Sequence, residues 1–406
     1  MHTKFSRPVL PGERLWLAAD IIHPPFLNQM VLEGTGTMDL DELTDAVARA
    51  SDANPGCRLI IKGALRSCYW LDSGVAPPVR RISGALWDGY SQDNAPFLND
   101  RLPCGGPTCE VLWVEGPKPR LIFRSNHGVM DGRGTLTWAE DVFRALRGEE
   151  LLGSRSSITK LDIITSITDR SKWSDAIKYI APTGKNRPNT SGIMWRRLSF
   201  TGQFHKLLGK VAWALAQSAW QYDDGRVLFL VSVDLRPRKP GLRSTSNLNA
   251  GLSVEVNKDS TPDSIKQDVL NQLENKNDCV RIKDEGLYDM IPLKVLEFGF
   301  KMIKKYNHVQ GRYNLTALIS NLGMIDNAKF CSSGFHTDTV FFIPPLTEMI
   351  PVFLASTGCP GREEICITIP NGLGSENRFE RLLHDICQAL APDAVPEVVS
   401  PAITST

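Results

Sequence analysis

Residues 152–193 constrain this chain more than any other stretch. They are polar, rich in Ser, Thr and Lys, and finish in PTGKNRPNTSG at 182–192. Such a stretch offers no apolar face to bury and reads as a crossover or linker. It leaves two portions of similar size, each mixing helix and strand patterns. That arrangement predicts an α/β protein of two lobes with a cleft between them. The expected bounds are 1–175 for the first lobe, 176–193 for the crossover and 194–391 for the second lobe. A flexible tail is expected over 392–406.

In the first half, Pro11 opens a short helix over 11–20. A strand is expected over 28–36. The next helix starts at Asp39, where Asp39 and Glu42 have capping-box spacing. Leu40, Leu43, Val47 and Ala50 form its apolar stripe, and Pro55-Gly56 ends it. Strand patterns follow at 58–62, 67–71, 108–114 and 119–125, then a helix over 134–147 that stops at Gly148. In the second half, strands are expected at 194–201, 226–238, 313–320, 338–343, 349–355 and 364–369. Helices are expected at 204–220, 262–275, 286–306 and 376–390.

The 46 basic and 45 acidic residues leave a formal charge of +1. That balance gives no general reason to expect nucleic acid or an anionic membrane as partner. Nine cysteines are scattered without a CxxC pair, which suits reduced cytoplasmic thiols and neither a disulfide framework nor a metal site. Residues 1–20 hold no signal-peptide core, and no apolar run reaches membrane-spanning length. The expectation is a soluble, monomeric, cytoplasmic protein without a bound metal or redox cofactor.

One short segment carries chemistry. Asn126-His127-Gly128-Val129-Met130-Asp131-Gly132 lies between the end of a strand and the start of a helix. An imidazole titrates near neutrality and is the usual general base. At a strand end its backbone is held while its ring faces a cleft. Gly128 and Gly132 permit a sharp turn or close approach of a substrate. Asp131 either orients the histidine or braces the loop against an arginine elsewhere.

This segment resembles the HHxxxDG signature of the condensation-domain and chloramphenicol-acetyltransferase-like superfamily. LPGERLWL (10–17), NPGCRLII (54–61), VSVDLRPR (231–238), NLNAGLSVEV (247–256) and LISNLGMID (318–326) are similar, in order, to further segments of those proteins. The resemblance runs from about residue 8 to residue 391. Asn126 stands where the signature has its first histidine, and His127 where it has the second. The resemblance implies two acetyltransferase-like lobes, each a mixed sheet flanked by helices, with an active-site tunnel between them. It makes His127 the base and Asp131 a structural residue paired with a basic group. Arg236 is the first candidate for that group and Arg238 the second. Asn126, Ser320, Asn321 or a backbone N–H beside Gly132 would serve the substrate or its oxyanion. The implied reaction moves an acyl group from coenzyme A or a carrier-protein pantetheine arm to an alcohol or amine. The alternatives are a silent docking module of a synthase assembly line, or His-assisted dehydration, cyclisation or epimerisation on the same fold. Ser125, two residues before His127, is the one nearby alternative nucleophile. Trp16 and Trp138 are expected in the core, and His23, His205, His308, His336 and His384 as structural or exposed. Cys331 lacks the setting of a catalytic thiol.

Overall fold

The structure is a computed structural model that describes residues 4–202, 206–359 and 361–390, with the backbone of 394–398. His205 therefore lies outside the described residues. Two mixed sheets dominate. The first half contributes β1 (Leu27–Gly36), β2 (Val79–Ser83), β3 (Cys109–Glu115) and β4 (Arg120–Asn126). The second contributes β5 (Ile193–Gly202), β6 (Val227–Asp234), β7 (Asn249–Val256), β8 (Ala317–Met324) and β9 (Phe335–Ile343), then β10 (Phe353–Cys359), β11 (Arg362–Pro370) and β12 (Ala394–Val398). The five-stranded sheet has the order β9-β1-β4-β3-β2, and the seven-stranded sheet β7-β6-β8-β10-β11-β5-β12.

Sequence halves and sheets do not coincide. β9 comes from the second half yet forms an antiparallel edge on β1 of the first. Strand β12 pairs antiparallel with β5 inside the expected tail, so 394–398 is ordered by ladder hydrogen bonds. The polar 152–193 stretch is not a bare linker either. Thr159 caps a helix over Lys160–Ile167, and Ser171–Lys172 pairs with Arg281–Ile282.

Helices cover one face of each sheet. Against the first lie Leu40–Ala53 and Gly132–Leu146, whose Leu43, Val47, Trp138 and Phe143 pack on Met30, Leu32 and Phe123. Against the second lie Leu207–Tyr222, Pro262–Glu274 and Arg378–Leu390. Strand alternation sends Val31, Ile122 and Phe341 the other way, into a third apolar cluster shared with Trp195 and Cys366 of the second sheet.

A buried ionic network joins the sheets beside that cluster. Glu33 of β1 accepts from Arg120 of β4 at 2.7 Å and lies 3.4 Å from Arg197 of β5. Arg197 also meets Glu364 of β11 at 2.8 Å. Thr339 of β9 donates to Glu364 at 3.0 Å. Burial by itself would raise the Glu33 carboxyl, but Arg197, Arg120 and Lys118 outweigh it and hold the group at about 2. Because that folded-state value is depressed, its stabilisation is complete above the ordinary glutamate range and is lost as pH falls toward 2. Glu33→Ala leaves two buried guanidinium groups short of their shared anion. It is expected to cost roughly 3–5 kcal/mol in chemical denaturation at neutral pH, a deficit that shrinks on acidification.

Candidate functional site

Strand β4 ends at Asn126, and the chain then makes a tight loop before the helix Gly132–Leu146. Asn126 builds that loop. Its side-chain oxygen accepts from the Gly128 N–H at 2.9 Å, its amide donates to the Leu102 carbonyl at 2.8 Å, and its own carbonyl accepts from Val129 at 2.9 Å. With both ends of the amide engaged in the core, Asn126 braces the loop and does not line the cavity, contrary to the substrate role the sequence suggested. Gly134 is required for packing. A Cβ there would lie 2.3 Å from the Thr245 carbonyl oxygen.

Asp131 is the N-cap of the same helix, accepting from the Gly134 N–H at 2.7 Å. Its carboxylate also takes the Leu248 N–H at 2.7 Å and two nitrogens of Arg236 at 2.9 and 3.2 Å. Arg236 follows β6 and donates further to the carbonyls of Ser244 and Ser246 and to Asp234. Burial alone would lower the Arg236 guanidinium, and Asp131 with Asp234 more than reverses that. The second candidate partner, Arg238, instead meets Asp278 at 2.9 Å. Asp131 is thus saturated by partners other than the histidine ring.

His127 is buried, 7% exposed. Its N–H donates to the Phe26 carbonyl at 3.2 Å, and its carbonyl accepts the Asn247 amide at 2.7 Å. Its ring is stacked on Trp16 and Phe26, each at 5.4 Å between centroids and within 15° of parallel. Trp16 therefore lines the cavity against the histidine and is not the core residue the sequence implied. Trp138, fully buried, is. Nδ1 of His127 lies 3.3 Å from the Met130 carbonyl. A carbonyl only accepts, so Nδ1 carries the proton and Nε2 keeps its lone pair. Burial lowers the ring's pKa below its ordinary 6.5, and Asp131 and the Met130 carbonyl only partly oppose that. The ring is neutral at neutral pH.

A cavity of about 940 Å³ is bounded by both halves of the chain and reaches His127. Its floor is the face of the second sheet turned away from the helices. In register across β6, β8 and β10 stand Leu230, Leu318 and Phe353, then Ser232, Ser320 and Ala355. The hydroxyl row is the nearer to Asp234 and Arg236 along the strand. Ser320 is half-buried on this floor. Asn321 also lines the cavity but is exposed, with its side-chain oxygen bonded to the Gly323 N–H at 2.7 Å. Gly132 lines it too, and a Cβ there would meet Leu322 at 3.0 Å.

Ser125 is not brought to the site. It is fully buried, and its hydroxyl pairs with Thr135 at 2.9 Å beneath the helix. Away from the cavity, His308 bonds the Glu348 carbonyl at 2.9 Å, while His23 lies 3.8 Å from the Glu348 carboxylate. Among the described residues no group of three His, Cys, Asp or Glu side chains could hold a metal. All nine cysteines are free.

No family model matches the sequence, and no curated protein is similar to it. Solved structures are. The starter condensation domain of rhizomide synthetase RzmA, in complex with C8-CoA, superposes with a TM-score of 0.66 at 13% identity, over 97% of this chain and 98% of that one. The condensation domain of the monacolin K polyketide synthase MokA gives 0.60 at 10%, over 95% and 97%. TRI3 trichothecene 15-O-acetyltransferase from Fusarium sporotrichioides gives 0.59 at 13%, over 95% and 94%. The chain has the two-lobed fold of these condensation domains and of the TRI3 acetyltransferase.

Removing Asp131 takes the bidentate partner from the buried Arg236 guanidinium and leaves the Leu248 N–H and the helix-capping Gly134 N–H without their acceptor. Asp131→Ala is expected to lose roughly 3–5 kcal/mol, read as a lower melting temperature. An unchanged melting temperature would contradict this clamp.

Proposed function

We propose that the protein transfers an acyl group from a thioester, on coenzyme A or a carrier-protein pantetheine arm, to an alcohol or amine. The observation that carries this reading is the neutral His127, protonated at Nδ1 by its contact with a carbonyl and bare at Nε2, on the wall of a large cavity. Nε2 takes the proton of the acceptor hydroxyl or amine as that group attacks the thioester carbonyl. The developing oxyanion needs donors already in place. The first N–H groups of an α-helix have no intrahelical acceptor, which offers those at Gly132 and Arg133, with the Ser320 hydroxyl on the facing strand. Collapse of the tetrahedral species expels the thiolate, which takes the proton back from the imidazolium.

The cavity floor suggests how the substrates divide. The Leu230–Leu318–Phe353 row suits an apolar acyl or acceptor chain, and the Ser232–Ser320 row suits the polar reacting end. The C8-CoA held by RzmA, of the same fold, supports a coenzyme A donor. The free cysteines suit a reducing cytoplasm. The likeness to synthetase and synthase domains supports a biosynthetic role in secondary metabolism, with a carrier protein as an optional partner. Intact-mass screening of acyl-CoA and acyl-carrier donors against alcohols and amines tests the reading directly. Failure to form any ester or amide across such a panel would count against it.

Two outcomes are expected once a substrate pair is found. His127→Ala should remain folded and lose about a hundred- to ten-thousandfold in turnover. In the wild type, kcat/KM should rise with pH through a midpoint below 6.5, because the free base is the active form and burial lowers its pKa. A midpoint above 6.5 would mean that His127 is held as a cation.

Ser125 faces the core and pairs with Thr135, so it does not stand beside the base to carry the acyl group. Direct attack in a ternary complex is expected, with intersecting double-reciprocal lines and full activity in Ser125→Ala. Parallel lines with a mass gain of one acyl group after donor alone would replace this with a covalent route.

A further inference from the structure

The helix Leu293–Gln310 has two apolar faces and only one of them is covered. It packs along the helix Pro11–Ile22, turning Leu296 and Asn307 inward. At 3.6 residues per turn, Val295, Phe298, Met302, Tyr306 and Val309 fall within an arc of about 80° on another side. All five are exposed, by 51% to 71%. Five large side chains contiguous over four turns are not the scattered apolar residues of an ordinary surface. Along one edge of the arc run Lys294, Lys301 and Lys305, also exposed.

We infer that this face docks on an anionic phospholipid surface, with the helix lying in the plane of the headgroups. Charge selects this occupant. Four lysines against one glutamate leave the helix formally at +3; Lys301 is paired with Glu297 and Lys304 with Glu348 at 3.0 Å, which leaves a local excess of +2 against +1 for the whole chain. A second copy would bring an equally positive helix to the same contact, at an electrostatic cost. Acidic headgroups turn that cost into attraction, and the arc of Phe, Met, Tyr and Val enters the boundary between headgroups and chains. The helix is too polar on its remaining faces to cross the bilayer, in keeping with the absence of any spanning helix among the described residues. Lys283, Glu285 and Gly286, on the segment that leads into it, belong to the cavity wall. Docking would set that cavity beside a reservoir of apolar molecules.

The inference does not rest on the proposed chemistry, and its test needs no substrate. The purified full chain is sedimented with vesicles of phosphatidylcholine, or of equal parts phosphatidylcholine and phosphatidylserine. Binding is expected on the phosphatidylserine vesicles alone and should weaken as salt rises. Changing Lys294, Lys301 and Lys305 together to Gln should weaken it by roughly a hundredfold. Phe298→Ser with Met302→Ser and Tyr306→Ser should weaken it by at least about tenfold. All six side chains are exposed, and an unchanged melting temperature confirms that the variants fold. Phe298→Trp should shift its emission to the blue on the same vesicles, a direct reading of insertion. The proposal is overturned if the wild type stays in the supernatant with both vesicle populations, or if the variants bind as it does. It is also overturned if light scattering shows a dimer that the apolar triple variant abolishes, which would give the face to a second copy.

Discussion

The pair between Asp131 and Arg236 holds the two sides of the cavity in register. Four hydrogen bonds converge on one carboxylate, two from a guanidinium of the second half and two from backbone N–H groups. The carboxylate caps the helix that leaves the histidine loop. The guanidinium fixes the turn between β6 and β7 by bonding Ser244 and Ser246. Through that turn Asn247 reaches the His127 carbonyl. A buried ion pair contributes little net stability compared with apolar groups of the same shape, because both charges leave water. Its value here is geometric. A bidentate fork has one alignment, so the loop and the second sheet meet in one relative position.

That clamp determines what the His127 ring can meet. A carboxylate saturated by other donors does not accept from the ring and does not hold it as a cation. Met130 supplies the tautomer through its carbonyl, which also accepts the Asn28 amide at 2.7 Å. The two stacked aromatic rings exclude water and lower the proton affinity of the imidazole. The proposed base is therefore weak but free, ready at neutral pH without prior deprotonation. Orientation comes from packing and one backbone contact, in contrast to triads in which a carboxylate both aligns and stabilises the imidazolium.

Much of this could be read in advance because the chemistry is local. A strand, a glycine-flanked His and Asp, and a helix within thirty residues specify a loop at a strand end. The Asp131–Arg236 contact spans 105 positions and was reached only through resemblance. Strand β2 went unseen because its sequence, Val79–Ser83, is half-polar. Arg80 lies on its outer part and reaches Glu110 at 2.9 Å, so alternation does not mark a buried face. The transfer of β9 to the other sheet has no signature in a strand's own residues, since Phe341 and Ile343 would suit either sheet. Trp16 was misread for a related reason. A helix stripe shows which side is apolar, but not whether that side meets a core or the wall of a cavity. The tail strand β12 was missed because its pairing with β5 depends on an edge that only the folded sheet provides.

The helix Pro11–Ile22 connects features that are remote in sequence. On one side Trp16 lies against His127. Glu13 beneath it pairs with Arg7 at 2.7 Å, and Arg7 donates to the Val129 carbonyl of the histidine loop at 2.8 Å. On another side Arg14 donates to the carbonyls of Tyr288 and Ile291 at 2.9 and 2.6 Å, immediately before the lysine-edged helix. Two buried arginines on either side of one helix thus tie the histidine loop to an exposed apolar surface. Whole-chain charge conceals this arrangement, because an average of +1 is compatible with a helix formally at +3. Where charge sits relative to exposed apolar area, and which buried residues lie behind it, decides what a surface can meet.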